Sequence, residues 1–280
     1  MDHTFPDPNP TMNYPSTATP TGSAERWGPL WGHRPDDWAA GEDRQRPTYE
    51  EAIRRLDLRP GQRVLDIGCG SGAFLALAAG RGAHVCGLDA SDALLERARD
   101  RVPAAELLQG DMNALPFADD TFDVVTGFNA FFFAQDMAGA LREAARVARG
   151  RGSVLIQVFG PPERCDLEAA KAVIRPFLPP PPPGAAAAPE LWRPGALEAA
   201  ATAAGLTPAS TFDVRYTMDY ADAETLGRLL VAPAGVARLA GPEREPRLRA
   251  AIVAALASRR RDDGSYRLTN ESHCLVATAP

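Results

Sequence analysis

The chain has 280 residues, of which 45% are hydrophobic, and its 30 basic and 36 acidic side chains give a net charge of −6. This composition is ordinary for a globular protein, and the acidic balance argues against binding to the phosphates of nucleic acid. The four cysteines lack C-x-x-C spacing, so the sequence predicts neither a disulfide framework nor a metal site.

The first part of the chain combines a polar stretch with a dense group of tryptophans. Residues 1–24 are rich in proline, threonine, asparagine and serine, and we expect them to form a disordered tail. Trp27, Trp31 and Trp38 then follow within the segment 25–47. We expect this segment to dock onto the main body as a lid, with rings that either anchor it to the core or line a ligand pocket.

From residue 48 the pattern alternates between strands and helices. Predicted strands cover 63–67, 83–89, 105–109, 122–127 and 152–159, and predicted helices cover 48–58, 73–79, 92–102 and 141–149. Ser91 is a good N-cap for the third of these helices. Strands that alternate with helices of about ten residues indicate parallel βαβ units. The sequence therefore predicts an α/β fold, Rossmann-like and doubly wound.

After the fifth strand the pattern is less regular. The proline run at 176–189 predicts a surface loop, which is either a cover for a site or an inert insertion. A helix follows Arg193 and ends near Gly205, and two further strands are predicted at 209–218 and 266–278. The predicted division is a tail at 1–24, a lid segment at 25–47, a Rossmann-like domain at 48–218 and 264–280, and a helical insertion at 219–263.

The most informative stretch is VLDIGCGSG, residues 64–72. It predicts a buried strand, a tight glycine turn where a ligand can approach the backbone, and a helix N-terminus that faces the ligand. Gly68, Gly70 and Ala73 satisfy the dinucleotide fingerprint G-x-G-x-x-G/A. Asp89, 21 residues beyond Gly68, can bind a ribose diol in either of two cofactor classes. These residues alone leave a nicotinamide dinucleotide open.

Two other acids favour a different ligand. Asp66 lies inside the first strand, where it would repel a pyrophosphate and attract an ammonium group. Asp111 ends the third strand, where it could accept a hydrogen bond from an adenine amino group. Each acid has a structural alternative as a cap, a strand end or a solvated turn. Together with Asp89, however, they follow three successive parallel strands, at the sheet edge where α/β folds bind ligands.

Four segments carry a family resemblance: VLDIGCGSG (64–72), GLDAS (87–91), QGDMNALPFADDTFDVVTGFNA (109–130) and EAARVARGRGSVLI (143–156). They resemble the class I S-adenosylmethionine-dependent methyltransferases, in the type 11 subgroup that is similar to the ubiquinone and menaquinone C-methyltransferases. The resemblance implies a mostly parallel seven-stranded sheet with an antiparallel last strand, S-adenosyl-L-methionine as cofactor and S-adenosyl-L-homocysteine as product. One departure is Gly150-Arg151-Gly152, where the family usually has Pro-Gly-Gly.

The resemblance also implies residue roles at the methionine end of the cofactor. Asp66 would orient the amino group, directly or through water. Gly68 and Gly70, with Cys69 between them, would let the methionine portion lie against the backbone. Phe128, after the fourth strand, would offer a backbone carbonyl to the amine.

At the nucleoside end, the resemblance implies that Asp89 accepts hydrogen bonds from both ribose hydroxyls. Ala90 would touch the adenine, and Asp111 would accept from its amino group. Met112 would stack on the ring.

The acceptor side is less defined by the sequence. Trp31, His33, Asn129 and Phe133 are the candidate substrate residues, from the tryptophan segment and the loop 128–133. Aromatic lining suggests an apolar or planar small molecule, although these phenylalanines could equally belong to the core. A structural role is favoured for each histidine over a catalytic one, and we assign no catalytic base.

Three hypotheses follow from these observations. The first is methyl transfer to a small molecule. The second is a methyltransferase fold that binds S-adenosylmethionine but catalyses a cyclisation or another rearrangement, and the third is an NAD(P)-dependent oxidoreductase. Because no secretory signal and no bilayer-spanning apolar run are visible, we expect a cytoplasmic protein without a membrane partner.

Overall fold

A computed structural model describes residues 22–180 and 189–280. Within these ranges the chain forms a seven-stranded sheet in the order β3-β2-β1-β4-β5-β7-β6. The strands are β1 (Arg63–Ile67), β2 (His84–Asp89), β3 (Glu106–Gln109), β4 (Phe122–Phe128), β5 (Ala148–Phe159), β6 (Thr207–Tyr220) and β7 (Tyr266–Thr278).

Helices cover both faces of the sheet and extend beyond one end of it. They are α1 (Ser23–Trp31), α2 (Pro35–Glu42), α3 (Arg46–Arg55), α4 (Ala73–Ala79), α5 (Asp92–Arg101), α6 (Met137–Val147), α7 (Leu167–Ile174), α8 (Ala196–Ala203), α9 (Ala223–Leu230), α10 (Val236–Ala240) and α11 (Glu245–Ala255). In the described ranges, no helix is long and apolar enough to cross a membrane.

Strand pairing confirms the predicted α/β class. Strands β1 to β5 pair in parallel, whereas β7 runs antiparallel to both β5 and β6. Parallel strands need cover on both faces, which explains why Val64, Leu65 and Ile67 are all inaccessible to solvent. The order places β1 in the middle of the sheet, between β2 and β4, where the chain changes direction across the sheet.

The buried apolar residues of the described ranges form three clusters. Two of them lie on opposite faces of the sheet. Successive strand residues point to opposite faces. Leu65 therefore packs with Leu141 of α6 on one face, and Val64 packs with Phe74 of α4 on the other. The third part joins α7, α9 and α11 to the extended ends of β6 and β7, where Leu268 is fully buried.

Several predicted boundaries differ from the structure. The helix predicted at 141–149 ends at Val147, because Ala148 already pairs with Phe122 as part of β5. Arg151, in the Gly-Arg-Gly sequence, has a left-handed φ of 64° and turns the backbone there. Strand β6 extends beyond the predicted 209–218 at both ends.

The predicted domain division stays a prediction. Two observations concern the boundaries of its tail, its lid segment and its proline loop. Helix α1 begins at Ser23, two residues before the predicted lid segment, while residues 1–21 of the predicted tail lie outside the described residues. Most of the predicted proline loop, residues 181–188, also lies outside them.

The predicted N-cap of α5 is confirmed, and it gives a test of the fold. Ser91 Oγ accepts a hydrogen bond from the Leu94 backbone N–H at 3.3 Å. Replacing Ser91 with alanine leaves that buried N–H without its partner, and we expect Ser91→Ala to lower the free energy of unfolding by about 1 kcal/mol. Urea unfolding measures this change.

A matched control is Asp222→Ala in α9, where Asp222 Oδ1 accepts from the Thr225 N–H at 2.7 Å. The two variants should lose similar stability. No loss in Ser91→Ala beside a clear loss in Asp222→Ala would contradict the capping role of Ser91.

Candidate functional site

A cavity of about 80 Å³ lies at the carboxyl ends of the central parallel strands. Helices α1 and α2 form its outer wall. The structure brings eight of the nine residues predicted to contact a cofactor to its lining: Asp66, Gly68, Gly70, Asp89, Ala90, Asp111, Met112 and Phe128. Trp31, Asn129 and Phe133, three of the four predicted substrate residues, line it as well.

The floor of the cavity is the glycine turn between β1 and α4. Gly68, Gly70 and Gly72 have left-handed φ values of 73°, 55° and 79°. A Cβ on Gly68 would lie 2.7 Å from the Ala130 Cβ, and one on Gly70 would lie 2.8 Å from Glu42 Oε1. Both backbone conformation and space therefore require glycine at these two positions.

Asp89, the last residue of β2, is fixed against this turn. Its Oδ2 accepts from the Gly70 N–H at 2.9 Å, and its Oδ1 accepts from the Ser91 N–H at 2.8 Å. Burial raises the pKa of the Asp89 carboxyl, while these backbone N–H groups act in the opposite direction. The carboxyl thus faces the cavity in an orientation set by backbone on two sides.

Asp66, inside β1, contributes a second buried carboxyl. Thr126 Oγ1 on the neighbouring β4 donates to Asp66 Oδ1 at 2.7 Å. Burial raises the pKa of Asp66 well above its ordinary value, and the nearby carboxyls of Glu42 and Asp89 raise it further. The resulting accumulation of acidic groups favours a positively charged ligand.

Glu42, at the end of α2, is a cavity residue that the sequence reasoning missed. Its Oε2 accepts from both the backbone N–H and the side-chain hydroxyl of Ser71 in the glycine turn. Burial raises the pKa of Glu42 to about 7, although Ser71 and Arg101 act to lower it. In the sequence, a glutamate in a short helix cannot be distinguished from a glutamate exposed to solvent, so no local pattern predicted the burial of Glu42.

Trp38, also on α2, places its indole N–H in the interior of the site. The Nε1 atom is buried and has no hydrogen-bond partner among the described residues. The ring meets Trp31 edge to face at 4.8 Å, and Trp31 meets Phe133 in the same way at 5.4 Å. Trp31 and Trp38 therefore pack the segment against its neighbours and also line the cavity, the two roles between which the sequence did not decide.

Asp111 has a partner that the resemblance does not imply. Its Oδ2 accepts from the Ala24 N–H at 3.0 Å, and the Ser23 hydroxyl donates to it at the same distance. Its Oδ1 accepts from the Asn113 N–H at 2.8 Å. The carboxylate thus holds the first turn of α1, where the helix N-terminus favours a negative charge.

Two predicted site residues do not reach the cavity. The Cys69 side chain is 1% exposed and turns into the core, where its Sγ fills the space next to Gly87, so only its backbone belongs to the turn. His33 is exposed and lies outside the lining, because it follows the end of α1 on the outer side of the segment.

The phenylalanines after β4 divide between core and cavity. Phe131 is buried beneath Gly127, whereas Phe133 lines the cavity. The Phe128 ring packs between Tyr49 and Phe74 at 4.8 and 4.7 Å, so its backbone is the part that can meet a ligand.

The titratable side chains that line the cavity in the described part of the chain are Tyr49 and the acids Glu42, Asp66, Asp89 and Asp111. There, no histidine lines the cavity, and His273 instead pairs with Asp213 at 2.7 Å on the outer strands. The same part of the chain contains no cluster of metal-ligating side chains.

S-adenosylmethionine fits the features of this cavity. Its ammonium and sulfonium groups match the buried carboxyls of Asp66, Asp89 and Glu42, and the glycines at positive φ expose the backbone of the turn to a ligand. A pyrophosphate would meet the same carboxyls with like charge, which disfavours the nicotinamide alternative.

Comparison with known proteins agrees with this assignment. Residues 65–156 match the family model described as "Methyltransferase domain". A malonyl-acyl-carrier-protein O-methyltransferase of Halorhodospira halophila is 35% identical over 138 residues, which are 46% of this chain and 46% of that protein. A demethylmenaquinone methyltransferase of Corynebacterium kroppenstedtii is 41% identical over 111 residues, 39% of this chain and 47% of that protein. The chain thus spans about half the length of these curated relatives.

A solved structure shares the fold over most of the chain. The YcgJ protein of Bacillus subtilis superposes with a TM-score of 0.55 at 22% identity, over 82% of this chain and 97% of that chain. The sheet order and the antiparallel β7 are those of the class I methyltransferase Rossmann-like fold, and residues 65–156 match the methyltransferase-domain family model.

Proposed function

We propose that the protein transfers a methyl group from S-adenosylmethionine to a small-molecule acceptor of apolar or planar character. The observation that carries this proposal is the pair of buried carboxyls, Asp66 and Asp89, that face the glycine turn at the ends of β1 and β2. Buried acids of this kind are stabilised by a cationic ligand. The cytoplasmic location and a single small-molecule partner stay predictions.

The mechanism assigned to this chain is one of positioning. When bound, S-adenosylmethionine would supply a methyl group on a sulfonium. An acceptor would bond to that methyl carbon in line with the breaking carbon–sulfur bond, and S-adenosylhomocysteine would leave. Asp89, oriented by the Gly70 and Ser91 N–H groups, is placed to accept from a ribose diol. Alignment of reacting atoms about 3–3.5 Å apart can supply much of the acceleration for a nucleophilic acceptor.

The acceptor side of the proposal rests on the aromatic wall. Trp31 and Phe133 present apolar surface, and Asn129 adds an amide whose Nδ2 donates to Gln45 Oε1 at 3.2 Å. Asn129 also has a left-handed φ of 51°, a conformation that is uncommon outside glycine and is found at functional sites. Apolar walls with a few polar groups are typical of small-molecule sites.

Cofactor choice can be tested by thermal shift. We expect S-adenosylmethionine and S-adenosylhomocysteine at about 100 times their Kd to raise the Tm by several degrees, because a ligand that binds only the folded state stabilises it. NAD and NADP should leave the Tm unchanged. Stabilisation by a nicotinamide dinucleotide alone would overturn the proposed cofactor.

The role of Asp89 can be tested by calorimetry. Asp89→Ala removes a charged acceptor from the cavity, and we expect S-adenosylmethionine to bind about 1–3 kcal/mol more weakly. Asp92→Ala is the control, because Asp92 is an exposed carboxylate near Asp89 in sequence that pairs with Arg99 and does not line the cavity. Equal affinity of the two variants would argue against the ribose contact.

The reaction itself requires an acceptor panel. Incubation with S-adenosylmethionine and planar phenols, quinols or acyl thioesters should give S-adenosylhomocysteine with at least one acceptor, detected by mass spectrometry. Conversion of an acceptor without S-adenosylhomocysteine would instead support the non-methylating alternative.

A further inference from the structure

We infer that the N-terminal segment completes the site for the amino-acid end of the cofactor, with the Trp38 indole N–H donating to its carboxylate and Glu42 facing its ammonium group beside Asp66. This inference rests on the proposed function. It assigns roles to two residues of α2, which lies outside the matched residues 65–156.

Trp38 and Glu42 converge on one point of the glycine turn. A Cβ built on Gly70 would lie 2.9 Å from Trp38 Nε1 and 2.8 Å from Glu42 Oε1. The segment thus presents one hydrogen-bond donor and one acidic oxygen to the same narrow space above the backbone. An α-amino acid carries the complementary pair, since its carboxylate and its ammonium group share one carbon atom.

The Trp38 donor has no partner within the described residues. An indole N–H can only donate, and leaving it buried without an acceptor costs free energy. The edge-to-face contact with Trp31 fixes the ring, so this N–H cannot turn to solvent without breaking that contact. An acceptor supplied by a ligand accounts for a donor held in this way.

Glu42 divides its two oxygens between the protein and the cavity. Oε2 accepts both hydrogen bonds from Ser71, which leaves Oε1 toward Gly70. Arg101 Nη1 lies 4.0 Å from Oε2 and is itself paired with Asp43 at 2.9 Å. Arg101 therefore balances only part of the Glu42 charge, from the side away from the cavity. The Oε1 atom on the cavity side remains available to a cation.

The sheet order fixes which end of the cofactor lies here. Asp89 marks the ribose position at the end of β2, and β1 and β3 lie on opposite sides of β2. On the β3 side, the Asp111 carboxylate already accepts from α1. The β1 side combines an unpartnered donor with the acids Glu42 and Asp66, so it suits the zwitterionic end of the ligand.

Three adenosyl compounds separate these contacts when their Kd values are measured by calorimetry. S-adenosylhomocysteine has both charged groups, decarboxylated S-adenosylhomocysteine keeps only the ammonium group, and 5′-methylthioadenosine has neither. None of the three carries the sulfonium charge. Trp38→Phe keeps a ring but removes the N–H, and Glu42→Gln keeps an acceptor for Ser71 but removes the charge. Trp192→Phe, outside the cavity, is the matched control.

We expect Trp38→Phe to weaken S-adenosylhomocysteine binding by about 10- to 100-fold and to leave the two other ligands within about twofold of wild type. Glu42→Gln should weaken both ammonium-bearing ligands by about 10-fold and leave 5′-methylthioadenosine unaffected. Equal weakening of all three ligands by either variant would mean a packing role only and would overturn the inference. Failure of the wild-type protein to bind any of them would instead contradict the proposed function.

The pH dependence of binding gives an independent readout. The groups that face Glu42 are Ser71, Arg101, the acids Asp89 and Asp66, and the side chains of Tyr49 and Cys69. Burial raises the pKa of Glu42 to about 7. A bound ammonium group favours the ionised carboxyl, so binding releases a proton below that pH. Affinity should therefore rise as the pH increases toward 7, and it should fall again above about pH 8, where the α-ammonium group of the ligand loses its proton.

Calorimetry near pH 6 in buffers of different ionisation enthalpy measures this proton release. Because Asp66 can also release a proton, the informative quantity is the difference between the wild-type protein and Glu42→Gln. The variant should release fewer protons, and equal release in both proteins would overturn the assigned contact.

Discussion

The two hydrogen bonds accepted by Asp89 hold together the parts of the chain that form the cavity. They join the end of β2 to the Gly70 amide in the glycine turn and to the Ser91 amide at the start of α5. A buried carboxyl needs such partners, and the Gly70 amide forms part of a turn with left-handed backbone. The left-handed backbone at Gly70 and the carboxyl of Asp89 thus belong to one hydrogen-bonded arrangement.

The sequence was most informative where a local pattern decides the structure. Strands β1 and β7 have the predicted bounds, because an apolar run in β1 ends at the glycine turn and the last strand is set off by Gly264. Asp66 and Asp89 face the cavity as predicted, because the ends of parallel strands share one edge of the sheet. The boundary between α6 and β5 was wrong, because the pairing of Ala148 with Phe122 is a contact between separate elements.

What the sequence could not show depends on contacts between distant residues. Glu42 is buried because Ser71, 29 residues away, lies beneath it, and α2 has no apolar stripe that would have announced its burial. Cys69 lies between two cavity glycines, yet its side chain turns to the space that Gly87 leaves in the core. The partners of Asp111 lie near the start of α1, 87 and 88 residues away, beyond the reach of any local spacing argument.

The hold of Asp111 on α1 has a kinetic consequence. Because α1 and α2 form the outer wall of a narrow cavity, outward movement of these helices would widen the path for a ligand as long as an adenosyl amino acid. That motion breaks the hydrogen bonds to Ser23 and Ala24, so the residence time of the bound molecule depends on how often the protein opens as well as on the contacts of the molecule itself. Under the proposed function, turnover would therefore include a conformational step at the N-terminal segment.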